Sequence, residues 1–280
     1  MALTLGYSRQ YYYKQQIDID REEFKKQQVK QLIDQERKLL PRLGTRKIYH
    51  LIKEKLDLRG IKFGRDKLFN LLREYDLLIK PPRRYVQTTM SKHWLRKWPN
   101  IVKNITVKEP DQVWVSDITY IQTEQGNCYL NMITDAYSRK IVGYALDDNM
   151  EAESMINALK MANAQKVNCK IQTIHHSDRG LQYCSKEYAR LTDKSNIKLS
   201  MTENSDPYEN ALAERMNRTI KEEFGMNRPL ASKEQLKELL EESIDLYNKR
   251  RPHLALKMKT PNEVYQIKKS QLPEAIGTLI

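Results

Sequence analysis

Cysteine is scarce: Cys128, Cys169 and Cys184 are the only three among 280 residues, odd in number and scattered. That excludes a disulfide framework and a zinc knuckle, and suits a reducing compartment. No apolar run approaches the roughly 18 residues a membrane span needs. The opening MALTLGYSRQYYYK lacks the apolar segment of a secretory signal. A cytoplasmic protein that stays off membranes is the expectation. Acidic charge is short in one region only. Residues 1–110 carry 26 Lys/Arg against 12 Asp/Glu, whereas residues 111–280 carry 23 against 24. The formal net charge of +13 therefore sits in the first two-fifths of the chain. This reads as a polyanion-binding arm on a nearly neutral body. The arm has no apolar helical face rich in Trp and Phe, which argues against a membrane surface as its target. An apolar content of 40% is enough for a buried core, so a wholly disordered chain is excluded.

Asp20 followed by Glu23 predicts a capped helix to about Leu40, with Phe24, Val29, Leu32, Ile33 and Leu39 as a narrow apolar stripe before Pro41. Thr45 is expected to cap a second helix carrying Ile48, Leu51, Ile52 and Leu56, closed by Leu58-Arg59-Gly60. A third runs from about Arg65 to Tyr75, with Leu68, Leu71 and Leu72 inward and Arg65, Lys67, Asn70 and Arg73 outward. Two short helices around a glycine-containing turn fit a helix-turn-helix DNA reader, with Arg46 and Lys47 adding to its basic residues. A plain helical hairpin with a solvated charged face is the competing reading. The expected divisions are a helical arm at 1–40, the helix-turn-helix at 41–80 and a proline-bearing basic linker at 81–110. In that linker, Trp94 and Trp98 can stack on a base or anchor onto a neighbouring domain.

From residue 111 the pattern changes. Gln112–Ile121, Cys128–Thr134 and Ile141–Leu146 are rich in β-branched and aromatic residues, with turn signals at Gly126-Asn127 and Ser138-Arg139. A helix at about 151–165, a strand Ile171–His175, a helix near 185–193, a strand Ile197–Met201 and a helix from Pro207 to about Phe224 follow. The order βββαβαβα gives an α/β fold, a mixed five-stranded sheet with flanking helices, whose first and fourth strands can lie parallel and adjacent. This core spans 111–228, and a C-terminal helical extension spans 229–280.

Asp117 lies within the first strand, on the face of Val113, Val115 and Thr119, an awkward place for an unpaired charge. Asp178 lies just past the fourth strand. Glu214 lies on the last helix, where Asn210, Glu214, Asn217, Arg218 and Lys221 share one polar arc opposite Leu212, Ala213, Met216, Ile220 and Phe224. Three converging carboxylates would form a hard-oxygen site suited to Mg²⁺ and to phosphoryl transfer. Taken singly, each acid also fits a turn residue or a surface charge.

WVSDITY, HHSDRGLQY and ENALAERMNRTIKEEF resemble the DDE motifs of the retroviral-integrase superfamily. The 35 residues between Asp178 and Glu214, with Lys221 seven after Glu214, resemble the bacterial transposases of insertion-sequence family three. YNKRRPHLALKMKTPNEVY (residues 247–265) is similar to that family's C-terminal signature. LGYSRQYYYK and PRLGTRKIYHLIKEK are similar to the start of its second reading frame and the helix-turn-helix that follows. The resemblance covers nearly the whole chain. It implies an RNase H-like core with Asp117, Asp178 and Glu214 as a metal-binding triad, and Lys221 near the DNA end, with Arg218 and Asn210 beside it on the arc. It also implies Mg²⁺, with Mn²⁺ as a substitute. Zinc is not expected, because His50, His93, His175, His176 and His253 have no suitable cysteine partners. The implied partners are the terminal inverted repeats of the element, target DNA, further copies of the chain on that DNA, and an upstream-frame partner or fusion. The implied setting is the bacterial cytoplasm, on the nucleoid when bound to DNA. The implied activity is 3′-end cleavage and strand transfer, that is, DNA integration and recombination. An RNase H-type nuclease and a truncated, non-catalytic regulator that occupies element ends remain alternatives. The basic arm argues against the first and the intact triad against the second.

Overall fold

The structure, a computed structural model, describes residues 9–80, 98–103, 105–203, 207–266 and 278–279. The chain forms two compact units, Met1–Pro81 and Pro82–Ile280. Trp94, His93 and Asp206 lie outside the described residues, as do most of the linker and the stretch 267–277.

The first unit is helical: α1 (Arg9–Leu39), α2 (Thr45–Leu58) and α3 (Arg65–Glu74). Helix α1 begins well before the expected Asp20. No glycine or proline separates Gly6 from Pro41, and i,i+4 side-chain pairs such as Gln16–Asp20 support the early turns. Only its second half packs. Val29, Leu32 and Ile33 are buried, but Phe24, expected in the stripe, is 60% exposed. Gly44, not Thr45, caps α2; Thr45 is the first helical residue and is buried. Helices α2 and α3 are in contact, and Ile48, Ile52 and Leu56 of α2, Leu68, Leu71 and Leu72 of α3, and Ile61 and Phe63 of the connection are all buried. Gly60, at a φ of 67°, makes the turn that other residues would resist. Glu36, buried on α1, takes the Lys55 ammonium of α2 at 2.6 Å.

The second unit contains β1 (Thr106–Val107), β2 (Val113–Thr123), β3 (Gly126–Asp135), β4 (Ile141–Asp147), α4 (Ala152–Ala164), β5 (Thr173–Ser177), α5 (Lys186–Lys194) and β6 (Ile197–Met201). It continues with α6 (Ala211–Glu223), α7 (Lys233–Arg250), α8 (Pro261–Tyr265) and β7 (Thr278–Leu279). Five strands form one sheet in the order β4-β3-β2-β5-β6, antiparallel from β4 to β2 and parallel from β2 to β6. This is the mixed sheet with flanking helices that the element order implied, and β2 and β5 are adjacent and parallel. A separate two-stranded pair joins β1 to β7, which the sequence pattern did not suggest.

Two elements are offset from expectation. Residues Glu124 and Gln125 make the β2–β3 turn, and Gly126, at a φ of 125°, already pairs with Thr123. Strand β5 lies two residues later than expected, because its register on β2, Val113 with Ile174 through Ser116 with Ser177, carries the ladder through both histidines.

Helix α4 crosses from β4 to β5 over one face and packs Met155, Ile156, Ala158, Leu159 and Ala162 against Trp114, Ile133 and Val142. Trp98 anchors on this cluster. Gly143 permits the close approach, since a Cβ there would sit 2.1 Å from the Ala158 carbonyl oxygen. The opposite face gathers Val113, Val115, Ala136, Tyr137, Ala213, Leu256 and Val264. Segments from α6 and from the C-terminal stretch therefore cover the same side of β2.

Candidate active site

Parallel pairing of β2 and β5 ends at Ser116 with Ser177, and an aspartate follows each: Asp117 still within β2, Asp178 just past β5. Neighbouring strands lie about 4.8 Å apart, so the ladder brings the Asp117 and Asp178 backbones side by side where the strands part. Asp178 turns back on itself, its Oδ1 accepting from the Gly180 amide at 3.1 Å.

Helix α6 runs along β2 on the face of Asp117. Asn210, its N-cap, donates to the Ser116 carbonyl at 3.0 Å; Asn217 donates to Asp117 Oδ2 at 2.9 Å; Lys221 donates to Thr119 Oγ1 at 3.1 Å and to the Tyr120 carbonyl at 2.9 Å. Eleven helical residues cover about 16 Å while four strand steps cover about 13 Å, so the two elements stay matched along this stretch. Glu214 falls between Asn210 and Asn217 on the same side of the helix.

The electrostatics follow from this crowding. The Asp117 carboxyl is pushed up to about 7, first by burial, then by the negative charges of Asp178 and Glu214, against the bond from Asn217. Glu214 is also raised, by burial and Asp178, although the Arg218 guanidinium pulls the other way. Burial lowers the Lys221 ammonium, opposed by Asp117. Among the described residues, no group of three or more His, Cys, Asp or Glu side chains is gathered closely enough to hold a metal ion. Asp117 and Asp178 are the pair brought together, and the charge of Glu214 reaches both.

Below the carboxylates the sheet is locked by uncharged polar groups. Ser116 Oγ donates to the Tyr183 hydroxyl at 2.9 Å, and the Tyr188 hydroxyl lies 3.0 Å from His175 Nδ1. Burial pushes His175 down to about 3 and lowers His176, so both rings are neutral props at pH 7. His176 spans from Ser200 Oγ (2.9 Å) to the Glu209 carbonyl (3.0 Å), joining β6 to the approach to α6.

The remaining expected contact residues fall differently. Asn210 is 4% exposed and its amide donates to β2, so it ties the start of the helix to the sheet. Arg218 is exposed on α6. In the first unit, Arg46 is exposed and Lys47 half-buried on α2. On α3 the exposed cations make local contacts: Arg65 with Asp66 at 3.0 Å, Lys67 with Glu22 at 3.5 Å and Arg73 with Asn70 at 2.9 Å. Such exposed pairs are weak and exchange readily for a phosphate. Sequence reasoning missed Asn217 as a site residue. Its signal was present, an amide three residues after Glu214 on an arc that an isolated helix would turn to solvent.

Comparison with known proteins agrees with the fold. An integrase core domain family matches residues 107–207, and a second integrase core domain family matches residues 195–261. The chain is 36% identical over 216 residues to the insertion element IS600 uncharacterized 31 kDa protein of Shigella sonnei, covering 76% of this chain and 77% of that protein. It is 29% identical over 202 residues to the transposase InsF for insertion sequence IS3A of Escherichia coli (strain K12), covering 71% and 70%. In fold it is similar to a chain of the simian T-cell lymphotropic virus intasome solved with PP2A regulatory subunit B56 gamma. That match has a TM-score of 0.51 at 17% identity, over 83% of this chain and 78% of that one.

Proposed function

The chain belongs to the insertion-sequence family three transposases of the integrase superfamily, and from that premise we propose that it cuts the 3′ ends of its element and joins them to target DNA at Asp117, Asp178 and Glu214. DNA transposition by polynucleotidyl transfer is the activity of the family. The observation that carries the assignment of residues is the placement of Asp117 and Asp178 at the parting of β2 and β5, alongside the α6 face that bears Glu214.

The donor set is of the chemical type that a divalent cation takes. It consists of carboxylate oxygens; burial first, and then the negative charges of Asp178 and Glu214, raise Asp117 to about 7, and a hard dication would offset the repulsive part of that cost. When bound, Mg²⁺ or Mn²⁺ supplies Lewis-acid polarisation of the phosphodiester and stabilises charge on the attacking and leaving oxygens. The protein's own part is orientation. Asn217 holds one oxygen of Asp117. Gly180 fixes one oxygen of Asp178. Lys221, steadied by Thr119 and the Tyr120 carbonyl, offers a point charge for a phosphate of the DNA end, which suits positioning more than base reading. Arg218, exposed one turn after Glu214, is a second phosphate contact. Helices α2 and α3, with Arg46, Lys47, Arg65, Lys67, Asn70 and Arg73, read the terminal repeats, and further copies of the chain assemble on the paired ends.

Incubating the purified chain with Mg²⁺, a labelled DNA bearing the element's terminal repeats and an unlabelled target tests this. A covalently joined product is expected. Hydrolysis without joining would make the protein a nuclease, and binding without cleavage a regulator.

A further inference from the structure

The C-terminal signature contributes none of the three carboxylates, yet its polar side chains are buried against the elements that carry the site. Tyr247, fully buried on α7, donates to the Arg139 carbonyl at 3.1 Å and lies 3.3 Å from Met216 Sδ on α6. Asn248 pairs in both directions with the backbone of Ile141, at 2.9 and 3.0 Å, fixing the end of α7 to β4. Arg251 then closes the arrangement. It is 5% exposed, and it donates to the two oxygens of Glu223 at 2.7 Å from Nε and 2.6 Å from Nη2. Its Nη1 lies 2.8 Å from His253 Nε2, and its guanidinium lies 5.5 Å from the Tyr247 ring centroid. Glu223 is the last residue of α6, two beyond Lys221.

A buried ion pair is a poor source of stability, because desolvating both charges offsets most of their attraction. What a bidentate guanidinium–carboxylate pair does supply is fixed distance and fixed orientation. Here the fixed element is the helix that presents Glu214, Asn217 and Lys221 to β2, where an error of about 1 Å can cost on the order of a hundredfold in rate.

We propose that Arg251 is a positioning residue for strand transfer: gripping Glu223, it pins the C-terminal end of α6 and sets where Glu214, Asn217 and Lys221 stand against β2. Arg251 touches no DNA and holds no metal. This rests on the assignment of the three carboxylates given above.

The test uses the full chain in four forms: wild type, the double variant Arg251→Met/Glu223→Met, the single variant Arg251→Lys, and Glu214→Gln. The double variant removes both charges together, so it avoids leaving one buried and unpaired. Thermal unfolding, binding to labelled element ends, and kcat and KM for joining are measured on each. The double variant should keep its Tm and its end binding while kcat for joining falls roughly 30- to 100-fold at unchanged KM. Arg251→Lys, which keeps the charge but loses the fork, should fall about 3- to 10-fold. Wild-type kcat in a folded double variant would overturn the proposal. So would a parallel loss of Tm and kcat in both variants, which would leave the pair a stability element. If the double variant does not fold, Arg251→Lys decides alone, and wild-type kcat in it would overturn the proposal. Normal joining by Glu214→Gln would instead sink the assignment of the reacting carboxylates, a separate failure.

Discussion

Replacing Asn217 by leucine isolates one interaction at the centre of the site. Asn217 is 5% exposed, and its Nδ2 donates to Asp117 Oδ2 at 2.9 Å while its own Oδ1 is buried without a partner. Leucine keeps the branched shape and the number of heavy atoms, though its methyls are bulkier, and removes a polar group that is only half satisfied, so the fold should tolerate it. Asp117 then loses a hydrogen bond that favours its charged form. A hydrogen bond to a charged group is worth about 1.5–3 kcal/mol, and about 1.4 kcal/mol corresponds to one pKa unit. The Asp117 carboxyl already stands at about 7, so half of it is ionised at pH 7. An upward shift of about one to two units leaves about a tenth to a hundredth ionised. Since the ion takes only the carboxylate, half-saturating Mg²⁺ for end cleavage should rise about 5- to 50-fold at pH 7. Raising the pH towards 9 should restore much of the loss. Cleavage of a labelled terminal-repeat substrate, titrated with Mg²⁺ at pH 7 and at pH 9, reads both effects. An unchanged Mg²⁺ requirement at both pH values would refute the role of Asn217 and weaken that of Asp117 beside it.

Three further outcomes follow from the same geometry. Lys221→Ala should lower end joining at least tenfold while leaving the Mg²⁺ requirement within about twofold, and Lys221→Arg should keep part of the activity; crosslinking from position 221 to the terminal nucleotides checks the contact, and its absence together with normal joining would make Lys221 a helix-to-strand tie alone. Neutralising Arg65, Lys67 and Arg73 together should weaken binding to element ends and flatten its salt dependence by up to about three units of slope; identical footprints and slopes would return α2 and α3 to a structural hairpin. The third concerns pH and stability without metal. Asp117 sits at about 7 in the fold, above its ordinary range near 4, so between these values the unfolded chain binds fewer protons and folding stability falls as pH rises. In chelator, the Tm of wild type relative to Asp117→Asn should therefore drop between about pH 4 and pH 7; a relative Tm that stays flat or climbs over this window contradicts the crowding of the carboxylates.

Much of the core was legible because its signals are local. The alternation in Val113-Trp114-Val115 sorts residues onto the two faces that the structure fills, and the βββαβαβα order leaves few sheets to choose from. The placement of Asp117, Asp178 and Glu214 was legible because each stands at a strand, a strand end or a helix whose position that order dictates. Other features depend on pairing between distant segments. The register of β5 is set by β2, which carries the strand over His175 and His176, residues that read locally as its end. The polar arc of α6 reads as a solvated face until β2 is laid beside it; only then do Asn210 and Asn217 become buried ties. Glu223 ends α6 and Arg251 lies just past the end of α7, so no spacing rule connects them. In the first unit, Asp20 and Glu23 have the form of a cap, but they fall inside a helix that nothing in the preceding residues interrupts.

The central claim is that Asp117, Asp178 and Glu214 together carry the chemistry. It is tested most directly by joining assays on Asp117→Asn, Asp178→Asn and Glu214→Gln, each assayed with Mg²⁺ beside wild type and with end binding measured in parallel. Each amide keeps the shape and removes the charge that a divalent ion requires. The expected result is binding within about threefold of wild type and joined product reduced by at least about a thousandfold in all three. Near-normal Mg²⁺-dependent joining by any one of them would contradict the account.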